Sequence, residues 1–138
     1  IFIPNQLKKR LKKKCGSKLI LFEEDSTNQN LIKKIKKLVK NYKNFYVHLD
    51  SSHTQEHVFK ELNIYSKFLK RKNYIIADDT IVDDIGVPAH RPRPWNKKNN
   101  PKKAVREFLK KKKDFKLDLF HDYNRIISSC PGGYIYKK

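Results

Sequence analysis

Apolar side chains recur along this chain in two rhythms. Between residues 29 and 43, QNLIKKIKKLVKNYK, the groups Leu31, Ile32, Ile35, Leu38, Val39 and Tyr42 fall three or four apart, with lysines between them. That spacing gathers them on one face of a helix. Asp25, Ser26, Thr27 and Asn28, just upstream, are good cap residues. Residues 54–70 repeat the rhythm with Val58, Leu62, Tyr65 and Leu69. A further helix starts at Pro101, with Asn100 as its cap and Ala104, Val105, Phe108 and Leu109 as its apolar face. Leu7 and Leu11 are four apart, as on one helix face.

The second rhythm is the short continuous run. KLILFEE (18–24), NFYVHLD (44–50) and NYIIADD (73–79) each carry apolar residues and end on acids, which predicts three buried strands. FKLDLF (115–120) is a strand or a helix exit, and RIISSCPGGYIYKK (125–138) predicts a hairpin turning at Pro131-Gly132-Gly133. Residues 80–100 form a long irregular connection with prolines at 88, 92 and 94. Strand and helix alternate, so the expected class is α/β: a mostly parallel sheet covered by helices, closed by an antiparallel C-terminal hairpin. A chain of 138 residues fits a single domain, 1–138.

In such sheets ligands bind just past the carboxyl ends of the strands. There the chain places Glu23, Glu24, Asp25 and Ser26, then Asp50, Ser51, Ser52 and His53, then Asp78, Asp79 and Thr80. Three strand ends carry acids although the whole chain has 14 acidic residues against 33 basic ones. Neighbouring strands lie about 4.8 Å apart, and carboxylates that close repel unless a cation neutralises them. Oxygen donors without clustered thiols favour Mg²⁺, Mn²⁺ or Ca²⁺ over zinc. Asp50, Asp78 and Asp79 are therefore the expected metal ligands, the alternative being helix caps and loop solvation. His53, three residues past Asp50, can take a proton near neutral pH, or be a capping or surface group. HTQEH (53–57) also matches the H-x-x-E-H pattern of zinc proteases. A zinc hydrolase is thus a rival reading, although it leaves Asp78 and Asp79 unused. Otherwise Glu56 offsets the helix dipole and His57 lies on the helix surface.

Charge changes the picture less than its size suggests. The net charge is +19, but only 6 of the 33 basic residues are Arg. Phosphate and base recognition favour the planar Arg fork, so the lysines read as a solvated face with non-specific affinity for polyanions at low salt. No apolar run approaches the roughly 18 residues needed to span a membrane, and IFIPNQLKKRLKKK is not a signal peptide. Cys15 and Cys130 belong to no CxxC pair and read as thiols in a reducing compartment, the cytoplasm. The chain contains no Met and opens on IFI, so we expect it to be a piece of a longer protein.

LDSSHTQEHVFKELNIYSKFL, YIIADDTIVDD, KAVREFL and CPGGYIYK occur in this order, and the chain resembles the cephalosporin hydroxylase family over about residues 18–138. That family is similar to the macrocin-type and rhamnosyl sugar O-methyltransferases. The resemblance implies a Rossmann-like methyltransferase fold, with helices on both faces of the sheet, that uses S-adenosylmethionine and Mg²⁺ (or Mn²⁺). It carries the metal triad onto Asp50, Asp78 and Asp79, the general base onto His53, and the adenosine-facing strand tip onto Asp25 and Ser26. Asp78 stands where the family has Glu, and EEDST where it has an EGSS-like segment. No Gly-rich strand-to-helix turn precedes residue 18, so the resemblance implies the C-terminal part of such a domain, with weak or absent donor binding by these residues alone. The implied reaction is methylation of a sugar hydroxyl on a small acceptor with vicinal hydroxyls. Residues 80–100 would be a substrate or lid loop whose His90, Arg91, Arg93 and Trp95 touch that acceptor. A non-catalytic basic module that binds polyanions or nucleic acid is the alternative, a homo-oligomer stays open, and no membrane partner is expected.

Overall fold

The amphipathic spacing becomes helix wherever a cap residue stands ahead of it. The structure, a computed structural model, describes residues 3–124 and 127–138. Its helices are α1 (Asn5–Cys15), α2 (Gln29–Val39), α3 (Gln55–Tyr65), α4 (Val82–Ile85), α5 (Pro101–Lys111) and α6 (Leu119–Tyr123), and its strands β1 (Tyr46–Leu49), β2 (Tyr74–Ala77), β3 (Phe115–Leu117) and β4 (Tyr134–Lys137). Asn28 starts α2 by accepting the N–H groups of Asn30 and Leu31 at 2.8 and 3.2 Å. Asn100 does the same for α5, accepting from Lys103 N at 3.2 Å ahead of Pro101. The buried Asn100 amide also donates to Asp83 and to the carbonyls of Asn96 and Lys97. This ties the long 80–100 connection to the helix that follows it. One turn of that connection is α4.

The sheet order is β1-β2-β4-β3. β1 and β2 are parallel, with Leu49 opposite Ala77, while β2–β4 and β4–β3 are antiparallel. Because side chains alternate along a strand, Leu49, Ile75, Ala77, Ile135 and Phe115 share one face. They form the core with Val58, Leu62 and Tyr65 of α3 and Ala104, Val105 and Phe108 of α5. The opposite face carries His48, Tyr74, Tyr134 and Tyr136, and there α6 lays His121 on the Tyr134 ring at 5.3 Å. Gly133 fits against β2 so closely that a Cβ would lie 2.3 Å from the Ala77 carbonyl oxygen. Ala77 N donates to Gly133 O at 3.0 Å in the same place. No helix among the described residues is long and apolar enough to cross a membrane.

Three expectations about the sheet are corrected. Residues 18–24 are not a strand: Leu19–Phe22 runs without a strand partner and leaves Ile20 55% exposed. The segment is fastened through its acids, Glu23 by Ile3 N and Lys8, Glu24 by Lys34. An apolar run becomes a strand only where a neighbour satisfies its backbone groups. The outer edge of β1 has no strand partner among the described residues. Nor does the chain end in a hairpin around Pro131–Gly133, since β4 pairs with β2 and β3 instead. Arg125 and Ile126, in the expected first arm, lie outside the described residues, as do Ile1 and Phe2 of IFI. With one parallel and two antiparallel pairings, the described sheet is mixed rather than mostly parallel.

Candidate functional site

Strand alternation sends the two aspartates after β2 to different places. Asp78 continues the face of Tyr74 and Ile76. Asp79 has a left-handed backbone, φ 51°, which turns its carboxylate toward the start of α3. There His53 is 7% exposed, one residue before the cap Thr54. Its Nδ1 lies 2.7 Å from Asp79 Oδ2 and its Nε2 lies 3.2 Å from Asp50 Oδ1. The Asp79 contact is an ion-pair approach without hydrogen-bond alignment. Trp95 stacks on the imidazole at 4.9 Å and 28°, and the Arg93 guanidinium lies 5.5 Å over the Trp95 ring. Asp50, His53, Asp79, Arg91, Arg93 and Trp95 line one cleft of about 450 Å³; the exposed His90 does not line it. An imidazole so flanked can take a proton from a hydroxyl and share the resulting charge with two carboxylates.

Asp78 belongs to a different cluster. Its Oδ1 accepts from Ser129 Oγ at 2.6 Å, Asp79 N at 2.8 Å and Cys130 Sγ at 3.0 Å, and its Oδ2 lies 3.0 Å from His48 Nε2. Burial disfavours the charged carboxylate, but the donors from Ser129, Cys130, Asp79 and His48 together outweigh it and bring its pKa down to about 2. Burial first, and Asp78 beside it, push the Cys130 thiol up to about 11. Asp50 and Asp79 thus each approach a different nitrogen of His53, Asp78 lies in the cluster of His48 and Cys130, and among the described residues the three carboxylates do not come within 4.8 Å of one another as one group. The donor chemistry of Asp50 and Asp79 still fits a hard divalent ion. Mg²⁺ is commonly held by one or two carboxylates and completes its shell with water and substrate oxygens, and these two side chains are 62% and 41% exposed.

The third expected cluster sits beside the first. Asp25 accepts from Thr27 N and Oγ1 at 2.7 and 2.6 Å, and both bonds hold its carboxyl below the usual range. Ser26 Oγ is 3.2 Å from His57 Nε2, and Ser26 O accepts from Tyr65 OH at 2.6 Å. Asp25, Ser26, Ser51, Ser52 and His57 line a second cleft of about 420 Å³, and Trp95 lines this one too. The two histidines of HTQEH therefore serve separate clusters, His53 with Asp50 and Asp79, His57 with Ser26 and Glu61. Sequence reasoning missed His48, Cys130 and the buried Glu61, whose carboxylate accepts from Ser51 at 2.8 Å. The alternation of β1 held the signal for His48, two residues before Asp50. Nothing local marked Cys130.

The model of one protein family, described as rhamnosyl O-methyltransferase/CmcI, matches residues 3–138. Searches of curated proteins and of solved structures return no match.

Proposed function

For a chain that belongs to the rhamnosyl O-methyltransferase/CmcI family, we propose S-adenosylmethionine-dependent, divalent-metal-assisted methylation of a hydroxyl on a sugar or sugar-containing small molecule. The family suggests an O-methyltransferase and implies use of S-adenosylmethionine. The observation that carries the finer reading is the pair of adjoining clefts with Trp95 as their common wall. The donor occupies the cleft of Asp25 and Ser26, and the acceptor that of Asp50, His53 and Asp79. We take residues 1–138 as the C-terminal part of a Rossmann-like domain. In support, an apolar groove of about 390 Å³ with Val39, Phe45, Val47 and Phe68 in its lining runs along the edge of β1 that has no strand partner among the described residues, and sheet edges are ordinarily paired or covered.

When bound, S-adenosylmethionine supplies an electrophilic methyl group and the divalent ion lowers the pKa of a hydroxyl. Asp50 and Asp79 would hold that ion. His53 takes the proton of the acceptor hydroxyl, and its two carboxylate neighbours stabilise the imidazolium. Trp95 holds the ring in place by stacking, and with Arg91 and Arg93 it orients the acceptor from the 80–100 loop. Most of the expected rate gain lies in this positioning. Calorimetric titration of the parent with Mg²⁺ or Mn²⁺, beside Asp50→Ala and Asp79→Ala, tests the reading. It expects binding by the parent and a loss of about tenfold or more in each variant. Equal affinity in all three removes metal assistance from the proposal.

A further inference from the structure

We infer that the outer face of the sheet is a binding surface for single-stranded nucleic acid, whose bases stack on a row of tyrosines while its phosphates lie along a basic rim. The strand register builds the row. Tyr46 of β1 stands opposite Tyr74 of β2, Tyr74 opposite Tyr136 of β4, and Tyr136 opposite Lys116 of β3. Neighbouring strands lie about 4.8 Å apart, so three rings and one ammonium group cross the described sheet side by side. The Tyr74 and Tyr136 rings are 5.8 Å apart and inclined at 37°. Tyr74 OH donates to Asp118 at 2.5 Å, which holds its ring in place. Tyr46 is 67% exposed at one end of the row, and Lys116 is exposed at the other. Bases stack on aromatic side chains whatever the sequence, because every base has a π-face.

Charge selects the occupant. The row lies at the end of the sheet where β1, β2 and β3 begin and β4 finishes, opposite the end that carries Asp50, Asp78 and Asp79. The segments bordering it, 40–45, 70–73, 110–114 and 137–138, hold eleven basic residues and one acid, Asp114. Lys43, Arg71, Lys72, Lys113 and Lys138 are exposed among them. A second copy of the chain would set two such rims against each other, and they repel. A covering helix calls for the Val, Ile and Leu surface of a sheet buried on both faces, whereas this row offers hydroxyl-tipped rings and a lysine. A single strand of nucleic acid answers both features, with phosphates for the ammonium groups and flat bases for the rings. Lysine suffices at the rim, because phosphate contacts position the strand and read no sequence. The surface does not depend on the methyl-transfer reading, since none of its residues lines the cleft of His53 or that of Ser26.

The test follows the anisotropy of a labelled oligouridylate of about 12 nucleotides as the whole chain is added, with inorganic polyphosphate of the same charge as a base-free competitor. The parent should bind the oligonucleotide more tightly than polyphosphate, and more tightly than an RNA duplex of that length, whose bases are already stacked. Tyr46→Ala should weaken oligonucleotide binding about fivefold or more and leave polyphosphate binding unchanged, while Tyr46→Phe keeps the parental affinity. Lys116→Ala should weaken both ligands alike. Tyr42→Ala, at a tyrosine 61% exposed but off the sheet, should change neither. Equal affinity of the parent for oligonucleotide and polyphosphate, full affinity in Tyr46→Ala, or equal losses in Tyr46→Ala and Tyr42→Ala overturns the assignment. So does self-association of the chain that Tyr46→Ala abolishes and the oligonucleotide leaves intact, which would make the face an interface between copies.

Discussion

Asp78 and Asp79 are neighbours in sequence and live in different chemistry. Asp78 accepts three hydrogen bonds on one oxygen and faces a histidine with the other, and its side chain is 16% exposed. Asp79 has no aligned hydrogen bond to its carboxylate among the described residues, is 41% exposed, and stands against His53 in the wall of an open cleft. The cause is elementary: successive strand side chains point to opposite faces, and the left-handed turn at Asp79 completes the separation. Two adjacent acids at a strand end thus stand in two environments, one held rigid by hydrogen bonds and one left accessible.

The largest effect expected from the accessible side is on turnover. If His53 is the proton acceptor, His53→Ala lowers methyl transfer by about 10²–10⁴-fold, measured as label transferred from methyl-labelled S-adenosylmethionine to acceptor. The loss should shrink at high pH, where the hydroxyl ionises without help. A variant that keeps its rate would put His53 on the structural side of the comparison with Asp78.

Much of the fold was legible because it rests on local signals. The stripes of α2, α3 and α5, the Asn28 and Asn100 caps, and the two parallel strands follow from spacing and side-chain chemistry. The segment 18–24 was misread because a strand is a relation between two segments. Its apolar run was visible, and the absence of a described partner was not. The same limit applies to the site. Asp50, His53 and Asp79 could be gathered from strand ends alone. The company of Asp78 could not, since Cys130 reaches it from 52 residues away through the backbone approach at Gly133.

Asp78→Ala sharpens the comparison through stability. It removes one acceptor and strands Ser129 Oγ, Asp79 N, Cys130 and His48, a loss of about 2–3 kcal/mol by denaturant unfolding. Its pH dependence has a definite sign. The folded pKa, about 2, lies below the unfolded value of about 3.9. The stabilisation is thus nearly complete above about pH 4 and lost as the pH falls toward 2, an amount of roughly 2.5 kcal/mol. The parent should weaken steeply across that window, and Asp78→Asn should show a flatter curve.

Asp79→Gly should do the least to stability, and for that reason it tests the comparison most severely. Removing the side chain breaks no aligned hydrogen bond, because the Asp79 N–H that reaches Asp78 belongs to the backbone and stays, and the 2.7 Å approach to His53 Nδ1 is unaligned. The substitution also relieves a left-handed conformation, φ 51°, that costs an L-residue about 1 kcal/mol and costs glycine nothing. The added freedom of glycine in the unfolded chain offsets part of that gain. The balance is a change within about 1 kcal/mol of zero by denaturant unfolding, accompanied by loss of hard-ion binding. If instead Asp79→Gly destabilised the fold as much as Asp78→Ala, its carboxylate would be a structural group, and the division into a rigid and an accessible site would fail.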